Sequence, residues 1–76
     1  MSYGYTLRIH DLNRNAPSDM LGVRLGRLCI ERNIPITKVA TDIGVTRQTM
    51  YNWFRGASTP EPALTKRVEQ YIASLS

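Results

Sequence analysis

Between Ile36 and Arg55 the sequence carries two short helical patterns with little more than a glycine between them. Ile36, Val39, Ala40 and Ile43 recur at the spacing of a single helix face. Asn33 to Pro35 interrupts whatever precedes them, and Pro35 is acceptable just at a helix start. Gly44 follows the first pattern, where a left-handed backbone position is commonly needed. Thr46 is then placed to cap a second pattern that runs to about Arg55, and Gly56 closes it.

The chain has 76 residues, which favours one domain. A chain of this size buries only about 60% of the surface it exposes when unfolded. One modest core is feasible, without a catalytic cleft between lobes, and dimerisation would add buried surface. Ser18 is a plausible cap for a helix to about Arg32, with Leu21, Leu25, Leu28 and Cys29 on its inner face. Gly22 and Gly26 each cost that helix about 1 kcal/mol relative to alanine. Their four-residue spacing could allow another backbone to come close. It is not a membrane motif, because arginines interrupt the segment. Ala57 to Thr59 reads as a loop. Thr59 and Pro60 suit the start of a last helix with Leu64, Val68, Ile72 and Leu75 as its apolar stripe.

At the N-terminus Tyr3, Tyr5, Leu7 and Ile9 alternate with Gly4, Thr6, Arg8 and His10. Period two suggests a short strand, which would need a partner strand such as that of a second subunit. An unstructured terminus is the other reading. Asn13 to Ser18 reads as a linker. The expectation is therefore an all-α, compact four-helix domain over residues 18–76. Residues 1–17 would form an arm, with or without a β-strand, and a linker.

The net charge of +4 favours anionic partners. Its distribution is more telling. Arg8 and Arg14 balance Asp11 and Asp19 in residues 1–20, and Lys66 and Arg67 balance Glu61 and Glu69 in residues 56–76. The whole excess lies between, in Arg24, Arg27, Arg32, Lys38, Arg47 and Arg55 against Glu31 and Asp42. One cysteine, Cys29, precludes an internal disulfide and fits a reducing cytoplasm. Cys29 and His10 cannot together build a zinc site, and Cys29 reads as a small buried hydrophobe. No apolar run is long enough to span a bilayer, and no secretory signal is expected. No carboxylate pair, activated nucleophile or phosphate-binding glycine loop stands out, so neither an enzyme nor a cofactor is expected.

Two short helices joined by a tight glycine turn define a helix-turn-helix, whose second helix must serve two faces. At about 100° per residue, Arg47, Gln48, Tyr51, Asn52 and Arg55 fall in one sector of the 46–55 pattern. Thr49, Met50, Trp53 and Phe54 fall in the opposite one. Gln48 and Asn52 carry amides, which pair with adenine N6 and N7, and Arg47 could pair with guanine or bind phosphate. Tyr51 could meet a thymine methyl, a phosphate or only water. The helix N-terminus also offers N–H groups to phosphate.

Residues 21 to about 72 resemble the lambda-repressor-like family, the phage repressor and Cro type of helix-turn-helix. Residues 36–55 align over its whole motif. Ala40 matches the small residue where the helices cross, Gly44 the turn glycine, and Met50 and Trp53 the buried positions of the recognition helix. Trp53-Phe54-Arg55-Gly56 followed by Pro60 resembles the family's exit from that helix, and Leu21, Arg24, Leu25 and Leu28 its first helix.

The resemblance implies that Arg47, Gln48 and Asn52 read bases, while Thr46 and Arg55 face or flank phosphates. Two positions depart from the family. Ile36 stands where a glutamine often contacts phosphate, a contact that Thr37 or Lys38 could replace, and Cys29 stands where arginine is frequent. Arg24, with Arg27 and Arg32, would strengthen the field and could add a phosphate contact. The expected function is a sequence-specific DNA-binding transcriptional regulator. It would act as a repressor that binds a palindromic operator as a homodimer, in a bacterial or phage-infected cytoplasm. The N-terminal strand or the last helix would supply the dimer contact. An antitoxin-type or adaptor module binding another protein is the alternative on the same fold.

Overall fold

The structure, a computed structural model, describes residues 5–75. Among the described residues there are five helices and no strand. They are α1 (Leu7–Asn15), α2 (Leu21–Glu31), α3 (Ile36–Ile43), α4 (Arg47–Phe54) and α5 (Pro62–Leu75).

The N-terminal alternation therefore ends in a helix rather than a strand, and four expected helices become five. Tyr3 and Gly4 of that alternation lie outside the described residues. The physical reason is a second periodicity in the same letters. Tyr5, Ile9 and Asn13 recur four apart, as one helix face requires, and all three are buried. Leu7, which completed the apolar face of a strand, is 82% exposed. Thr6 caps the helix by accepting a 3.3 Å hydrogen bond from the Ile9 amide.

Asn13, read as linker, is the buried polar residue that fastens α1. Its Nδ2 donates to the carbonyls of Val23 (3.1 Å) and Phe54 (2.6 Å), and its own carbonyl accepts from Arg27 Nη2 at 3.0 Å. Tyr5 stacks on Phe54 with ring centroids 6.1 Å apart and donates its hydroxyl to the Ile34 carbonyl. Burial pushes the Tyr5 phenol above its ordinary range. From Tyr5 onward, the segment expected to stand off as an arm is thus packed into the core through Tyr5, Ile9 and Asn13.

Two further starts differ from expectation. The helix expected from Ser18 begins at Leu21, after a turn in which the Met20 amide bonds the Pro17 carbonyl at 3.3 Å. The last helix begins at Pro62 rather than Pro60; Pro60 is buried in the preceding loop. Pro62 takes the first helical position, where a missing N–H costs nothing. The Glu61 carbonyl before it accepts from the Leu64 and Thr65 amides at 2.8 and 3.2 Å.

Gly22 and Gly26 do allow a close approach, and the partner is α4. A β-carbon at Gly22 would sit 2.6 Å from Trp53 Cβ and 2.9 Å from the Trp53 carbonyl oxygen. One at Gly26 would sit 2.7 Å from the Phe54 ring and 2.8 Å from Asn13 Nδ2. Helix propensity is given up at Gly22 so that two backbones can touch, and at Gly26 to make room for the Phe54 ring and the Asn13 amide.

Around that contact Leu25, Cys29, Val39, Ile43, Met50, Phe54 and Val68 are fully buried, with Trp53 3% exposed. Burial raises the Cys29 thiol to about 12, so it stays protonated at neutral pH and packs as an apolar group. Helix α5 covers this core with Val68 and Ile72, flanked by half-buried Leu64, Tyr71 and Leu75. Among the described residues no helix is long and apolar enough to cross a membrane.

Candidate nucleic-acid interface

The α3–α4 connection has the backbone geometry its sequence requires. Gly44 adopts φ 93° and ψ 34°, a left-handed conformation that costs glycine little. Its amide and that of Val45 both bond the Ala40 carbonyl, at 2.8 and 3.0 Å, and so close α3. Two residues on, Thr46 Oγ1 accepts from the Thr49 amide at 3.1 Å and opens α4. Arg67 on α5 donates to the Ile43 carbonyl at 2.9 Å, which fixes the end of α3 against the last helix.

Helix α4 is divided by face. Met50, Trp53 and Phe54 are buried, and Thr49 is half-buried beside them. Arg47, Gln48 and Arg55 are exposed, and Tyr51 and Asn52 are half-buried. Three of the polar side chains, Gln48, Asn52 and Arg55, are linked to each other. Asn52 Oδ1 accepts from Gln48 Nε2 at 3.3 Å and from Arg55 Nη2 at 3.1 Å. This bracing limits their rotamers. It leaves Asn52 Nδ2 and Gln48 Oε1, a donor and an acceptor, without a protein partner among the described residues. That complement suits the edge of a base.

The phosphate candidates are more scattered. Thr46 spends its hydroxyl on the cap, because Oγ1 also donates to Thr49 Oγ1 at 3.0 Å. What it offers an anion is the first turn of α4 that it organises. Thr37 and Lys38 are exposed on the first turn of α3. Lys38 Nζ lies 3.1 Å from Asp42 Oδ2. The hydrogen bond from Lys38, then that from the Tyr71 hydroxyl at 2.9 Å, holds the Asp42 carboxyl below its ordinary range. A phosphate would have to compete with Asp42 for Lys38. Both groups are at the surface, where such a pair is weak.

Arg24 is not brought to this face. It stands two residues, or about 200° around the helix, from both Gly22 and Gly26, the positions that press on α4. It lines a surface groove between α2 and α5 with Arg27, Leu28, Glu31 and Ile72.

One neighbour of α4 was absent from the sequence-based candidates. Helix α1 runs along its flank and forms a shallow groove with it, lined by Thr6, Arg8, Ile9 and Leu12 on one side and Gln48, Tyr51 and Arg55 on the other. The four-residue spacing of Tyr5, Ile9 and Asn13 is the signal that could have revealed it.

No protein-family model, curated protein or solved structure matches the chain.

Proposed function

We propose that this chain binds duplex DNA as a helix-turn-helix domain, with α4 entering the major groove. Its role on this reading is that of a sequence-specific transcriptional regulator, a repressor that holds a two-fold operator as a homodimer. The observation that carries the reading is the division of α4: one face anchors the helix in the core, and the other presents exposed Arg47 beside Gln48 and Arg55, which both donate to the Asn52 side-chain oxygen. Polar pairs three and four residues apart also occur on ordinary solvated helix faces, but such a face seldom belongs to the second of two short helices joined through a left-handed glycine. The exposed cations Arg47 and Arg55 on that face and the sequence resemblance point the same way.

In this role Gln48 and Asn52 read base edges. Arg47, in the first turn, takes a guanine or a phosphate. Arg55, the α4 N-terminus and the exposed first turn of α3 hold the backbone. A homodimer would set two α4 helices about 34 Å apart, one turn of DNA.

Gln48→Ala tests the assignment most locally. It should cost about 1–3 kcal/mol of discrimination at one base pair while leaving random-sequence binding nearly intact. Competition binding with single-base variants of a selected site reads this directly. Equal losses on specific and random DNA would remove Gln48 from the reading face.

A further inference from the structure

We infer that Arg8, on the helix that precedes the α2–α5 core, grips a phosphate of the DNA strand bordering the groove that α4 enters. The inference rests on the reading of α4 as the groove-entering helix.

Helix α1 is held firmly against α4. Asn13 donates to the Phe54 carbonyl at 2.6 Å, and Tyr5 stacks on the Phe54 ring. A helix with its side chains is about 10–12 Å across, and the major groove is about 12 Å wide. A helix seated there fills the groove. Helix α1 packs at the usual ~8–10 Å between axes and shares a groove with the exposed Gln48 and Arg55 of α4, which puts it toward the groove's edge, where the phosphates are.

The side chains at that edge fit an anion. Arg8 and Leu12 of α1 and its cap Thr6 face Gln48 and Tyr51 of α4 and Arg55 at its end across one shallow groove. Two arginines line it and no carboxylate does. Arg8 is exposed. The lone ion pair among the described residues, Lys38 with Asp42, lies elsewhere. Asp11, three residues after Arg8, is exposed on α1 but does not line the groove. The zero net charge of the first twenty residues therefore conceals a cation that lines this groove while neither Asp11 nor Asp19 does. The ligand is one sugar-phosphate strand of duplex DNA. Arg8 contributes charge and position rather than sequence.

The test is a salt series on the full chain with Arg8→Ala, Arg8→Lys and Arg14→Ala. Each is titrated with a random-sequence duplex and with a site selected by the unmodified chain. Arg14 is the charge control, since it lies on the opposite flank of α1, in a groove with α2.

Loss of one phosphate contact lowers the slope of log affinity against log salt by about 0.9. A fourfold rise in salt should then cost the unmodified chain about 3.5-fold more affinity than Arg8→Ala, on both duplexes alike. Discrimination between the duplexes should not change. Arg8→Lys should keep the slope, Arg14→Ala should leave it unaltered, and the thermal melts of all three should match the unmodified chain. An unchanged slope in Arg8→Ala, or an equal change in Arg14→Ala, would overturn the inference while α4 binding stands. Failure of the unmodified chain to bind duplex DNA would overturn the α4 reading, and this inference with it.

Discussion

Trp53→Ala should lose about 3–5 kcal/mol of folding free energy. At ~0.05–0.15 kcal/mol per residue, that is a large part of what a chain of 76 residues holds. Trp53 is 3% exposed and sits where α4 meets α2. The substitution keeps the β-carbon that touches Gly22 and removes the whole indole, so the loss is of ring burial and dispersion contacts, with a cavity left behind. The face of α4 opposite the ring carries the candidate DNA contacts, so their arrangement should go with the fold. Urea denaturation followed by circular dichroism should show the midpoint collapse or a chain unfolded without denaturant. A midpoint equal to that of the unmodified chain would contradict the packing of α4 described above.

Gly22→Ala carries the second large effect, and its sign is informative. In an ordinary exposed helix position the change stabilises by about 1 kcal/mol. At Gly22 the new β-carbon would stand 2.6 Å from Trp53 Cβ and 2.9 Å from the Trp53 carbonyl. The carbonyl is backbone and the β-carbon is fixed to it, so neither can swing away. Helices α2 and α4 must separate instead. Overpacking of this kind costs about 1–3 kcal/mol, which outweighs the gain in propensity. The thermal midpoint should fall. A rise would mean that the two helices do not approach as closely as Gly22 and Gly26 require.

The α3–α4 pair was legible from sequence because its determinants are local. Four apolar residues at helical spacing, Gly44 at a left-handed position and Thr46 at a cap each act within a few residues. The polar and apolar faces of α4 follow from the same spacing. Helix α1 was not legible because its buried face ends in a polar residue. Asn13 belongs in the core only because the Val23 and Phe54 carbonyls are there to receive its amide. Without that tertiary information, Leu7 completes an equally regular strand. Pro60 and Pro62 both suit a helix start, and local letters did not choose between them.

The candidate site divides in the same way. That Arg47, Gln48, Tyr51, Asn52 and Arg55 share a helix face is a matter of spacing alone. The pairing of Lys38 with Asp42, the turning away of Arg24 and the approach of Arg8 depend on how helices pack, and a charge count by segment averages them out.

The central claim, that α4 reads sequence in duplex DNA, is tested most directly by selection from random duplexes at physiological salt, with sequencing of the bound pool. The account predicts an enriched palindrome whose half-sites lie about 10 base pairs apart, centre to centre. A pool left random, with binding that fades uniformly as salt rises, would contradict it and leave non-specific attraction to polyanions in its place.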